Sequence, residues 1–163
     1  MKLLRYGPLG SEKPGILDDN GNIRDLSAYV TDIAGDNLLP ERLMELAALD
    51  ITALPVVDGS PRLGACVGDI GKFLCIGLNY SDHIAESSMD LPEEPVLFTK
   101  ATSAVCGPND TVMLPRGSTK TDWEVELGLV IGKPAKYVSE AEALDYVAGY
   151  CIVNDLSERE LQL

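Results

Sequence analysis

The chain has 163 residues, with 13 basic and 26 acidic side chains and a formal charge of −13. That length allows one domain, or a small domain plus part of a second, and an apolar content of 45% allows a core. The charge argues against non-specific binding to nucleic acid or anionic membranes, and no apolar run is long enough to span a membrane.

Residues 1–6 read as a strand, and the short apolar stretch between Lys2 and Arg5 is no signal peptide. Residues 15–18 and 22–24 flank Asn20-Gly21, a dipeptide that favours a tight hairpin turn. Residues 37–49 read as a helix, with Pro40 in the first turn and Leu39, Leu43, Leu46 and Ala47 on one face. A breaker-rich stretch over 55–64 then closes a small N-terminal α+β domain, residues 1–64.

A second domain, residues 65–163, is expected to follow. Residues 72–77 read as a buried strand, and Asn79-Tyr80-Ser81-Asp82 opens a short helix. Residues 95–100 and 122–127 read as further strands, and 148–153 as a buried one. Ser139-Glu140-Ala141-Glu142 has the pattern of a capping box, and so does Ser157-Glu158-Arg159-Glu160, which predicts a helix from Ser157. A helix that starts six residues before Leu163 gives the expectation that the chain is part of a longer one. Strands dominate, so an antiparallel or mixed sheet arrangement is expected within an α+β, mainly β, class. Cys66, Cys75, Cys106 and Cys151 lack CxxC spacing and read as reduced, partly buried thiols of a cytosolic protein. One histidine and no paired cysteines argue against structural zinc.

Three acids stand out. In a strand, Glu124 and Glu126 point one way, about 7 Å apart, while Trp123, Val125 and Leu127 point the other. Asp155 follows the apolar run 148–153. Three converging acids call for a hard divalent cation, Mg²⁺ first; taken singly, Glu124 and Glu126 read as a solvated strand face and Asp155 as a turn residue. His83 and Glu86 are helix neighbours, either an acid/base dyad or a surface ion pair. Lys100 ends an apolar strand, where it could hold an anionic group or reach to solvent. Arg159 and Gln162 share a helix face, either a carboxylate clamp or an ordinary exposed surface.

Four segments together resemble the fumarylacetoacetate hydrolase family. They are Cys75-Ile76-Gly77-Leu78-Asn79-Tyr80-Ser81-Asp82-His83-Ile84-Ala85-Glu86, Glu94-Pro95-Val96-Leu97-Phe98-Thr99-Lys100, Asp122-Trp123-Glu124-Val125-Glu126-Leu127-Gly128, and Gly149-Tyr150-Cys151-Ile152-Val153-Asn154-Asp155-Leu156-Ser157 with the Arg159 and Gln162 that follow. The resemblance implies a mixed β-sandwich roll as the catalytic domain, usually in a homodimer. It implies that Glu124, Glu126 and Asp155 bind Mg²⁺, or Mn²⁺ or Ca²⁺, that His83 and Glu86 are the acid/base dyad, and that Lys100, Arg159 and Gln162 line the site.

The leading expectation is hydrolysis of a carbon–carbon bond in a 2,4-dioxo acid, either an acylpyruvate or a diketo-deoxy sugar acid, through a metal-bound enolate. The alternatives are ureidoglycolate cleavage, and decarboxylation or isomerisation of related dioates. A non-catalytic, metal-stabilised binding protein is the rival from another class. The expected partner is a small 2-oxo acid, with no nucleic acid or membrane, in the cytoplasm.

Overall fold

A computed structural model describes residues 1–87 and 90–162, with the side chains of His83, Glu86 and Ser87 outside the described part. The class is α+β and mainly β: the described residues form nine strands and two short α-helices, with every named strand pair antiparallel. The chain divides into two compact units, one of residues 1–68 with 107–163 and one of residues 69–106.

The larger unit opens with a sheet of β1 (Leu3–Tyr6), β2 (Lys13–Leu17) and β3 (Ile23–Asp25), in that order. The predicted hairpin forms between β2 and β3, pairing Ile16 with Arg24 and Leu17 with Ile23. Its turn runs from Asp18 to Gly21, whose N–H donates to the Asp18 carbonyl at 3.0 Å. Gly21 has φ +80°, so it supplies the left-handed residue after the turn rather than sharing a two-residue loop with Asn20. Asp18 fixes this loop by accepting from the N–H groups of Asn20 and Asn22 and from the Arg24 guanidinium.

The predicted helix is shorter than expected. It forms as α1 (Pro40–Ala47), with Pro40 in the first turn where no N–H is needed, and a 3-10 turn, Gly35–Leu38, precedes it. Its apolar stripe places Leu46 in a core with Ile16, Leu26, Val30, Ile33 and Leu54. Around that core runs a network of ion pairs. Arg5 forks onto Asp32 at 2.7 and 3.0 Å, and Arg62 forks onto Asp110 at 2.7 and 2.6 Å while reaching Glu12 at 2.8 Å.

The rest of this unit is a long hairpin of β7 (Val125–Ile131) and β8 (Val147–Asn154), and a short pair of β6 (Thr121–Asp122) and β9 (Ser157–Glu158). The strand expected over 122–127 is therefore broken at Trp123 and Glu124, because the chain changes partner there, from β9 to β8. The run 148–153 does form a strand but is not buried. Tyr150 and Ile152 are exposed because nothing among the described residues covers that face of the two-stranded sheet. Ser157 does not begin a helix: the backbone of Ser157 pairs with Asp122 and that of Glu158 with Thr121. The Glu158 carboxylate takes hydrogen bonds from the Ser118 and Thr121 hydroxyls, and Glu160 pairs with Lys120, so neither acid reaches back to cap. At the other predicted box, Ser139 donates to the Glu142 carboxylate at 2.6 Å instead of capping backbone, and a 3-10 turn, Glu140–Tyr146, follows.

The smaller unit pairs β4 (Phe73–Gly77) with β5 (Val96–Lys100), and α2 (Ser81–Ser87) lies between them in sequence. The strand expected to be buried at 72–77 leaves Leu74 and Ile76 exposed, again because the sheet has only two strands.

Candidate functional site

The β7–β8 register sets the acids. Glu126 stands opposite Val153 and Gly128 opposite Cys151. One step beyond the ladder, the Asp155 N–H donates to the Glu124 carbonyl at 2.9 Å, and the Glu124 N–H donates to Asn154 Oδ1 at 3.2 Å. Side chains alternate along both strands, so Glu124, Glu126, Cys151, Val153 and Asp155 share one face. All five are half-buried, while Trp123, Val125, Leu127, Ile152 and Asn154 on the other face are exposed. The structure thus brings the three predicted acids to one end of one hairpin face.

Arg159 closes that end. It follows β9 in a 3-10 turn, Arg159–Leu161, and its Nη2 lies 2.5 Å from Glu124 Oε1 and 2.8 Å from Asp122 Oδ2. Its Nη1 donates to Gln162 Oε1 at 3.1 Å, so the two predicted clamp residues do meet. The hydrogen bond to Arg159 holds the Asp122 carboxyl below the usual carboxylate range. In return, Asp122 first and Glu124 second hold the guanidinium more firmly protonated.

The smaller unit carries the other predicted groups. α2 places His83 and Glu86 three residues apart on one helix, and both side chains lie outside the described residues. Leu78 precedes this helix with φ +51°, a left-handed conformation that costs a branched side chain energy and turns the chain sharply out of β4. A small cleft of about 210 Å³ lies beside this turn, lined by Gly77, Leu78, Asn79, Glu93 and Glu94 among others. Lys100 ends β5 opposite Phe73.

Three carboxylates in adjacent register on one face are a donor set suited to a hard cation. Among the described residues, however, no three Asp, Glu, His or Cys side chains are drawn close enough to enclose an ion. Glu124 is instead shared with Arg159. The three carboxylates fit a divalent cation in donor chemistry, and Glu124 is turned to Arg159 in this structure.

Sequence reasoning passed over Asp122 and Asn154. Asp122 could have been flagged as the acid that opens the motif. The role of Asn154 depends on a strand end that spacing alone does not reveal. Cys151 was read only as a reduced, partly buried thiol, although its even spacing from Asp155 puts both on one strand face.

The profile of the family described as fumarylacetoacetate (FAA) hydrolase C-terminal matches residues 72–163. A Burkholderia multivorans protein, named only provisionally as a hydrolase, is 66% identical over 163 residues, all of this chain and 58% of its own length. A fumarylacetoacetate hydrolase from psychrophilic Exiguobacterium antarcticum has a similar structure, with TM-score 0.80 and 30% identity over 99% of this chain and 58% of that one. A probable 2-hydroxyhepta-2,4-diene-1,7-dioate isomerase from Mycobacterium abscessus gives TM-score 0.74 and 30% identity, over 99% of this chain and 54% of that one. The chain thus spans little more than half the length of these relatives. Among the described residues, no helix is long and apolar enough to cross a membrane.

Proposed function

The chain belongs to the fumarylacetoacetate hydrolase family, and we propose that the full-length protein is a cytoplasmic, homodimeric, metal-assisted enzyme. Its reaction is hydrolysis of a carbon–carbon bond in a 2,4-dioxo acid, an acylpyruvate or a diketo-deoxy sugar acid. The observation that carries this reading is the shared hairpin face of Glu124, Glu126 and Asp155. Residues 1–64 serve as the accessory domain and residues 65–163 as the first part of the catalytic roll.

Glu124, Glu126 and Asp155 would hold the cation, Mg²⁺ first and Mn²⁺ or Ca²⁺ as substitutes. When bound, it supplies positive charge that withdraws electrons from a 2-oxo carboxylate. His83 takes a proton from water at an imidazole nitrogen, and Glu86 orients the ring and raises its basicity. The hydroxide adds to the distal carbonyl, the carbon–carbon bond breaks, and its electron pair leaves with the pyruvate-like fragment, which then takes up a proton. Lys100, Arg159 and Gln162 bind the anionic end of the substrate, where a guanidinium forks onto a carboxylate. Arg159 already pairs with both Asp122 and Glu124, so it moderates repulsion among the acids as well.

The likeness to a probable dioate isomerase favours one second reading, isomerisation of a hydroxy-diene dioate by the same proton-handling dyad. A panel of acylpyruvates, diketo-deoxy sugar acids, oxaloacetate, ureidoglycolate and hydroxy-diene dioates separates these reactions. It is run on full-length protein with Mg²⁺ and read by pyruvate, CO₂, urea and ultraviolet absorbance. Pyruvate release is expected from a dioxo acid, and an absorbance change without pyruvate would select the isomerase. For His83→Ala, turnover should fall by a factor of about 10² to 10⁴ while Mg²⁺ binding persists. Unchanged turnover in that variant would remove the dyad from the mechanism, and silence across the panel would leave the metal-stabilised binding protein.

A further inference from the structure

Asp122 and Arg159 are brought together by the short β6–β9 pair. Asp122 stands opposite Ser157 and Thr121 opposite Glu158, and the Arg159 N–H donates to the Lys120 carbonyl at 3.0 Å. The guanidinium then divides its donors. Nε and Nη2 both donate to Asp122 Oδ2, at 3.1 and 2.8 Å, and Nη1 donates to Gln162 Oε1 at 3.1 Å. Nη2 also lies 2.5 Å from Glu124 Oε1. The two oxygens of Asp122 have separate tasks as well. While Oδ2 takes the guanidinium, Oδ1 accepts from the Trp123 N–H at 3.0 Å, at the point where the chain leaves β6 for β7.

Nη2 carries two hydrogens, one for each carboxylate. A divalent cation drawn to Glu124, Glu126 and Asp155 therefore competes with Arg159 for Glu124. It does not need Asp122, whose carboxylate already accepts three hydrogen bonds.

We propose that Asp122 is a positioning residue that acts through Arg159: it holds the guanidinium beside the acids while a divalent cation takes Glu124. The proposal rests on the reading of Glu124, Glu126 and Asp155 as the carboxylates that hold the cation. In the exchange, Nε and Nη2 stay on Asp122 and Nη1 stays on Gln162, so the arginine gives up one contact and keeps its place. The Nη2 hydrogen released from Glu124 becomes a charge-assisted donor for the anionic end of a substrate. Without the Asp122 carboxylate, Glu124 would be the carboxylate partner left to the guanidinium, and the cation would have to break that pair outright. Arg159 and the cation thus oppose each other at Glu124, and Asp122 lowers the opposition.

The test is Mg²⁺ titration calorimetry on the full-length protein and three variants. Arg159→Gln removes the competing charge and should tighten Mg²⁺ binding by about two- to tenfold. Asp122→Asn keeps an oxygen for the Trp123 N–H and loses the second acceptor, so it should weaken binding by about the same factor. The double variant should bind as tightly as Arg159→Gln alone, because Asp122 acts through the arginine. Equal weakening by Asp122→Asn with and without Arg159 would overturn the proposal and leave the cation site standing; a direct pull of Asp122 on the cation, or a disordered hairpin end, would give that result. Weaker binding in Arg159→Gln would overturn it too. No Mg²⁺ binding in any of the four proteins would remove the cation reading, and the proposal with it.

Discussion

At Asp18, burial and hydrogen bonding pull in opposite directions. Burial raises its carboxyl, but the Asn22 N–H, the Arg24 guanidinium, the Asn22 amide and the Asn20 N–H outweigh it and hold the group at about 2. An unfolded aspartate titrates near about 3.9. The folded value is the lower one, so the hairpin gains stability above about pH 4 and loses it as pH falls toward about 2. Urea midpoints taken across that window should fall steeply for the wild type and less steeply for Asp18→Asn, which has no proton to bind there. Equal slopes would mean that the loop contributes nothing through this carboxylate. Ile16 is the counterpart in the core. It is 0% exposed, and Ile16→Ala should cost about 2–5 kcal/mol in urea denaturation, because the lost methyl groups leave a cavity.

At the scale of elements, the β7–β8 hairpin depends on Gly128. A Cβ there would come within 2.8 Å of both the Cys151 sulfur and Val153 Cγ2, so Gly128→Val must displace two side chains. A loss of about 1–3 kcal/mol is expected, read as a lower urea midpoint than the wild type; an unchanged midpoint would mean that the hairpin absorbs the added side chain. Elements whose cause is local were legible in the sequence. The Asp18–Gly21 turn and the Pro40 helix start follow from turn and first-turn chemistry. Ser157 was not, because a distant strand, Thr121–Asp122, claims its backbone before a helix can form. The exposed apolar strands misled for a related reason: an apolar run reveals that it can be buried, not that a second layer exists to bury it. In the candidate site, alternation revealed the shared face of Glu124 and Glu126. It could not reveal that Asp155 lands beside Glu124 or that Arg159 bridges Asp122 and Glu124, since both depend on strand pairing across about thirty intervening residues.

For the whole molecule, the marked feature is apolar surface. Val125, Leu127, Leu129, Tyr150 and Ile152 are all exposed on one side of one hairpin, in a chain of net charge −13. This 163-residue chain should bind a hydrophobic dye such as anilinonaphthalene sulfonate. Leu127 and Ile152 are direct cross-strand partners, so Leu127→Glu with Ile152→Lys exchanges an apolar pair for opposite charges without changing register. Dye fluorescence should fall by more than half in that variant while far-ultraviolet circular dichroism is preserved. Unchanged fluorescence would locate the dye elsewhere. The Arg62–Asp110 fork has a different consequence. Gly107 lies so close to Leu63 that an added Cβ would stand 2.1 Å from its carbonyl oxygen, and the fork fastens the same two stretches. The chain therefore leaves the larger unit and rejoins it at neighbouring points, and residues 69–106 are an excursion between two adjacent posts. Topologically they behave like a cassette: a short glycine-rich bridge in their place should leave the remaining unit able to fold, and the excursion can lengthen or change sequence without altering the frame that holds the acids.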